Sequence, residues 1–286
     1  GCSSHTQPAS GSFDPNQKTV LPEKYALANQ TLTYIIDFEN IGNADAKTVR
    51  LFDELDQKLN LSTLQVVARN GTFYPINDGE TILLYLQNKT RQINVTFGNE
   101  TIIINKTYTE NWTVMRNNNT LVWSLENIYL GVNKTDHVFY QLKPKQNLMS
   151  GTTILNNATI QFDVFDPMTT NDKITIIDSS LPKCTVNPLP HFMYSSNFTI
   201  YWTGVDAVGE IESFDVYMAT DHQGYQRIRT NTPETNATIT GARGSYYEFF
   251  CVAKDMAGNV EDQRVKTEAS TTVYDYKPSP IKMRVD

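Results

Sequence analysis

The sequence predicts an all-β chain of two β-sandwiches in tandem, and three observations carry that prediction. Short runs alternate apolar and polar residues with the period of a strand. Turn signals such as Asn77-Asp78-Gly79 fall between the runs. The 286 residues are 40% hydrophobic and 19% charged, a globular composition sized for one large or two medium domains.

The first twelve residues, GCSSHTQPASGS, are small and polar. Residues 1–11 therefore read as a tail or linker. In TLTYIIDFEN, Leu32, Tyr34, Ile36 and Phe38 share one face, opposite Thr31, Thr33, Ile35 and Asp37. LFDELDQKLNLSTL, residues 51–64, spaces Leu51, Leu55 and Leu59 as a short helix would. QINVTF-GN-ETIIIN predicts a hairpin turning at Gly98-Asn99, and WTVMR-NNN-TLVWSL a second with Asn118 at its tip. ATIQFDVFD puts Ile160, Phe162 and Val164 on one strand face. The prolines of DSSLPKCTVNPLP then break regular structure, giving a first domain over 12–180 and a second over 181–286. NFTIYWTG and SFDVYMA resume the alternation with Phe198, Ile200, Trp202 and with Phe214, Val216, Met218.

The compartment is read from the triplet Asn-X-Ser/Thr, the acceptor for N-glycosylation. It occurs thirteen times, at Asn29, Asn60, Asn70, Asn88, Asn94, Asn99, Asn105, Asn111, Asn118, Asn133, Asn157, Asn197 and Asn236. With 26 Asn, and 49 Ser plus Thr among 286 residues, chance gives about four or five. The excess points to a secreted or cell-surface glycoprotein, made in a eukaryotic secretory pathway or an archaeal envelope. A chain that starts with Gly and shows no signal peptide reads as a processed product or an excerpt.

Other classes are excluded or weakened. The formal charge of −7 argues against nucleic acid. No stretch nears the ~20 apolar residues of a membrane-spanning helix, so no membrane insertion is expected within this chain. The histidines His5, His137, His191 and His222 are scattered, and no serine sits in a GxSxG elbow. No catalytic residue is assigned and no enzyme is expected. Asp206, Asp255, Asn259 and Glu261 could hold Ca²⁺, which takes oxygen ligands. Their spacing matches no defined calcium loop, and turn-forming Asp and Asn are the commoner explanation, so no metal or other cofactor is assigned. Trp112 and Trp123 could stack on sugar, with cross-strand packing as the plainer alternative.

Several stretches taken together carry a family resemblance: SFDPNQKTV, LTYIIDFENIGNADAKTVRLFDELDQKLNLSTL, IQFDVFDPMTTN and IIDSSLP. They resemble the conserved-repeat surface domains of bacterial and archaeal cell-envelope proteins, which are immunoglobulin-like sandwiches. FTIYWTGVD, IESFDVYMATD and YYEFFCVAKDMAGNVE resemble the fibronectin-III-like or immunoglobulin-like repeat that often follows them. The resemblance implies that AKTVRLFDEL is a strand and DQKLNLST a loop, which displaces the helix. Residues 66–122 depart from it, being richer in Asn and acceptor triplets. In a fibronectin-like register Tyr247, Phe249, Cys251 and Ala253 point inward, and Cys184 on the first strand could reach Cys251 as a disulfide. Cys2 is left over, with three readings: a bond to another chain or upstream segment, a free thiol, or a lipid-modified cysteine. The function expected is an extracellular structural subunit or module of a cell-surface assembly: a surface layer, filament or adhesin stalk. It would carry N-glycans and meet copies of itself or other surface proteins through its N-terminal tail. The alternative is an adhesive or carbohydrate-binding module.

Overall fold

A computed structural model describes residues 16–98, 100–262 and 265–274. Among them the regular structure is all strand, in two compact units. The first comprises residues up to Leu148 and Thr152–Ile177; the second takes Met149–Gly151 and the chain from Asp178 onward.

The first unit contains, in chain order, β1 (Gln17–Leu21), β2 (Tyr25–Ala26), β3 (Leu32–Glu39), β4 (Ala46–Glu54), β5 (Leu59–Val67), β6 (Phe73–Pro75) and β7 (Thr81–Phe97). It continues with β8 (Glu100–Asn117), β9 (Thr120–Leu130), β10 (Thr135–Pro144), β11 (Thr153–Asn156), β12 (Thr159–Phe162), β13 (Met168–Thr169) and β14 (Lys173–Ile177). One sheet runs β1-β3-β10-β5-β6, another β13-β12-β4-β9-β8-β7, and a small third β11-β14-β2. The inward faces supply the core. Tyr34, Ile36 and Phe38 come from β3, Val49 and Leu51 from β4, Trp123 and Leu125 from β9, and Tyr140 and Leu142 from β10. The period-2 alternation places these residues inside because a strand points successive side chains to opposite faces.

Two local expectations need correcting. The loop expected over DQKLNLST is shorter than that, because β5 begins at Leu59. There Leu59 and Leu64 enter the core, and burying such side chains contributes about 1.5–3 kcal/mol each. Val164 is not on the face of Ile160 and Phe162. β12 ends at Phe162, Asp163 adopts a left-handed backbone (φ 48°), and Val164 is exposed.

The hairpin β7–β8 is the long feature of this unit, paired from Thr81↔Met115 to Phe97↔Glu100. β9 pairs with β8 only over Asn111–Asn117. Beyond that, toward the Gly98 turn, β7 and β8 form a two-stranded ribbon.

The second unit contains β15 (Lys183–Val186), β16 (Phe192–Met193), β17 (Asn197–Val205), β18 (Ile211–Thr220), β19 (Gln226–Thr232), β20 (Asn236–Thr240), β21 (Tyr246–Asp255) and β22 (Ala269–Val273). A three-stranded sheet β15-β17-β20 and a five-stranded sheet β16-β22-β21-β18-β19 enclose Phe198, Ile200, Trp202, Phe214, Val216 and Phe249. Gly204 is required here. A Cβ at that point would stand 2.6 Å from the Phe214 ring, so any side chain would displace the core.

Candidate functional site

Four features were candidates for function: the acceptor asparagines, the tryptophans, the cysteines and the acidic loops. A fifth, in the core of the first unit, escaped the sequence reading.

Twelve of the thirteen acceptor asparagines lie in described residues; Asn99 does not. Nine are exposed: Asn29, Asn70, Asn88, Asn94, Asn105, Asn118, Asn133, Asn197 and Asn236. Asn60, Asn111 and Asn157 are half-buried, and the Asn157 side-chain amide donates to Asp172 Oδ1 at 2.8 Å. On the ribbon the acceptors share a side. Asn88 pairs with Thr109, Gln92 with Asn105 and Asn94 with Ile103, and directly paired residues point to the same face. The opposite face carries Ile93↔Ile104, Val95↔Ile102 and Arg91↔Lys106. That second face continues the one on which Glu110, Trp112 and Val114 are buried, but out on the ribbon Ile102 and Ile104 are exposed.

The tryptophans are core residues. Trp112 is 3% exposed and Trp123 is fully buried. Trp112 packs edge-on to Tyr85 at 5.9 Å, with the Arg69 guanidinium 4.3 Å from its ring. Trp123 leans on Tyr140 at 5.8 Å. Neither forms an open platform for a sugar ring.

Cys184 on β15 is bonded to Cys251 on β21, with Cα atoms 5.7 Å apart. The bond joins the two sheets of the second unit. Two carboxylates brace it. Glu268 Oε2 accepts the Val186 amide at 2.9 Å, and Glu261 Oε2 accepts those of Cys184 at 2.7 Å and Ala253 at 3.1 Å. Glu261 is thus committed to β15 and β21 and stands outside the acidic loops with which the sequence grouped it. Cys2 and His5 lie outside the described residues.

The acidic loops do converge. Asp206 and Asp255 meet Asp178, and one oxygen from each lies within 4.8 Å of the others. Asp178 and Asp255 are fully buried. Asp178 Oδ1 accepts Ser150 Oγ at 3.1 Å and the Ser180 amide at 2.9 Å. Asp206 Oδ2 accepts the Gly209 amide at 2.6 Å and the Val208 amide at 3.1 Å. Burial pulls the Asp206 carboxyl up, but the Gly209, Val208 and Ala207 amides outweigh it and hold the group below the usual range. Asp255 Oδ1 accepts the Gly258 and Asn259 amides, both at 2.8 Å, and Asn259 Nδ2 donates to Asp255 Oδ2 at 2.8 Å. The sequence offered Asp178 only as a domain boundary.

The missed feature is Lys18, fully buried on β1, ion-paired with the fully buried Asp53 on β4. The Tyr140 hydroxyl donates to Asp53 Oδ2 at 2.7 Å and receives the Asn156 amide at 2.9 Å. The Lys18 ammonium also lies 5.1 Å from the Tyr34 ring and 5.5 Å from that of Tyr140. Burial pulls Lys18 down to about 8, against the attraction of Asp53. Burial likewise raises the Asp53 carboxyl. The signal was present in the sequence: Lys18 has the parity of Val20, and Asp53 that of Val49 and Leu51, so both charges sit on apolar faces.

A groove of about 440 Å³ opens between residues 40–46 and 162–168, with Ile41, Phe162, Phe165 and Met168 in its wall. Two of its carboxylates serve the fold. Asp163 Oδ1 accepts the amides of Lys47 at 2.9 Å and Thr48 at 2.8 Å, and Asp45 pairs with Arg91.

These features define a two-unit β-sandwich protein. The model of the domain of unknown function DUF7619 matches residues 14–100 and 90–176, more than half of the chain, and the chain belongs to that family. Apart from Met149–Gly151, both matched stretches lie in the first unit, and its sheets draw on both: β3 from the first pairs with β10 from the second, and β4 with β9 and β12. Among curated proteins none matches the chain in sequence. Among solved structures it is similar to the major pilin subunit BcpA of Bacillus cereus, at 13% identity and a TM-score of 0.36, over 90% of this chain and 68% of that one. It is similar to the full-length major pilin SpaD from Corynebacterium diphtheriae, at 15% identity and a TM-score of 0.34, over 92% and 66% of the two chains. It is also similar to the collagen-binding domain of a Staphylococcus aureus adhesin, at 13% and 0.30, over 59% and 99%.

Proposed function

We propose that this chain is a structural module of an extracellular cell-surface assembly, such as a surface layer, filament or adhesin stalk, and that it carries N-linked glycans. The observation that supports this best is the sorting of the acceptor asparagines. Nine are exposed, and on the ribbon Asn88, Asn94 and Asn105 share one face. β7 is a sheet edge, which left bare can pair with another chain. Glycans on that ribbon would block edge pairing and leave its other face, with Ile93, Val95, Ile102 and Ile104, for a neighbouring subunit. The disulfide fits an oxidising location. Cys2 would link neighbours. The rival reading, a carbohydrate-binding module, needs exposed rings in line, and Trp112 and Trp123 are buried.

The test is intact mass of the protein from its native source, reduced and non-reduced, before and after chemical deglycosylation. A large mass loss on deglycosylation, with a non-reduced multimer collapsing to one chain, is the expected result. An unmodified monomer in both conditions sinks the reading. Glycopeptide mapping sharpens it. Occupancy should be high at the nine exposed acceptors and lowest at Asn157, whose amide nitrogen is held by Asp172. Equal occupancy at Asn157 would remove exposure as the sorting principle.

A further inference from the structure

We propose that Asp178, Asp206 and Asp255 form a divalent-cation site in the second unit, sized for Ca²⁺. Three carboxylates gathered together are not in themselves a site. Here they come with two buried oxygens that have no hydrogen-bond partner, Asp178 Oδ2 and Asp206 Oδ1. Asp178 is fully buried, so its free oxygen is out of reach of bulk solvent. A buried carboxylate oxygen without a donor is costly, and two buried carboxylates beside a third repel one another. The donors that position this cluster are neutral: backbone amides, the Ser150 and Ser180 hydroxyls and the Asn259 amide. They orient the oxygens without cancelling their charge.

The spacing suits an ion. Ca²⁺ binds oxygens at about 2.3–2.6 Å, so ligands on opposite sides of it stand about 4.6–5.2 Å apart. One oxygen from each of the three aspartates falls within 4.8 Å of the other two. Gly209 abuts the cluster. A Cβ there would stand 2.4 Å from Asp178 Oδ2 and 3.2 Å from Asp206 Oδ2, so any side chain would push two of the three aspartates out of place. An all-carboxylate set favours a hard cation, and Ca²⁺ tolerates an irregular shell completed by water better than Mg²⁺ does. The ion would tie together three segments: the chain entering β15, the β17–β18 loop and the end of β21. This inference does not depend on where the protein resides.

The experiment is calorimetric titration of CaCl₂ into the EDTA-stripped chain in 150 mM NaCl, with thermal unfolding in EDTA and in 2 mM Ca²⁺. One site of submillimolar Kd is expected, and a Tm rise of about 5 °C or more for the second unit. Asp178→Asn keeps the Oδ1 acceptor but removes a charge. It should weaken Ca²⁺ at least about tenfold while melting, in EDTA, no lower than the wild type. Asp206→Asn should do the same, and Gly209→Ala should abolish binding. Any one of three results overturns the proposal: no binding by the wild type at 2 mM, equal binding of Mg²⁺, or unchanged Ca²⁺ affinity in both Asn variants.

Discussion

The two units close their sandwiches by opposite means. In the second, a covalent bond between Cys184 and Cys251 joins the sheets, and Glu261 and Glu268 reinforce it by accepting amides of β15 and β21. In the first, strands β1 and β4 are joined through the core by Lys18 and Asp53, with Tyr140 and Asn156 completing the chain of donors. A disulfide acts on the unfolded chain, whose freedom it restricts, while a buried ion pair acts in the folded state. Removing one partner of the pair leaves a charge in the core. The comparison teaches that one chain can be sensitive to reductant in one unit and to charge and pH in the other.

The largest effect expected is from breaking the disulfide. Its partners are 67 residues apart, and a loop of that length is worth about 4 kcal/mol in the chain-entropy model. Reduction, or the double change Cys184→Ser and Cys251→Ser, should make the chain after Asp178 susceptible to limited proteolysis and leave the first unit resistant. Cleavage sites mapped by mass spectrometry check this, and equal loss in both units would end the comparison. Next in size is Lys18→Met, which strands Asp53 in the core. It should cost about 3 kcal/mol in the first unit, at the low end of the range for a broken buried pair, because Tyr140 still donates to Asp53. Urea unfolding with and without dithiothreitol separates the two: the Lys18→Met loss should not change on reduction.

Much of this was legible in the sequence. The alternation in TLTYIIDFEN, NFTIYWTG and SFDVYMA is β3, β17 and β18, because strand periodicity is local and survives any sheet order. The leucine spacing of residues 51–64 imitated a helix. It fails because Leu51 and Leu55 lie in and just past β4 while Leu59 opens β5, so they reach one core from two strands. Clusters built across distant loops were not legible. Asp206 and Asp255 were noticed, but Asp178 joins them only through the fold, and Glu261 leaves them for the same reason. Lys18 was readable only by treating a charge on an apolar parity as information rather than as an interruption.

The smallest effect expected separates the units by pH alone. In the folded state Lys18 titrates near 8, below its ordinary value of 10.5. A lysine lowered by folding is bound to its proton more weakly in the native chain than in the unfolded one. Between the two values the unfolded state therefore holds more protons, and stability rises with pH. The gain should amount to about 2 kcal/mol between pH 7 and 9.5. The window has to stop there, because burial also raises Tyr34 and Tyr140, and their retained protons reverse the slope above the ordinary tyrosine value. Asp53, raised by burial, works in the opposite sense: its contribution is present at low pH and lost as pH climbs through its folded value. Urea midpoints of the first unit at pH 7 and 9.5 should therefore move apart in the wild type and not in Lys18→Met. A wild-type midpoint that falls over this interval would mean that Asp53 holds the Lys18 proton more firmly than burial expels it, and the pair would then be an ordinary strong ion bridge.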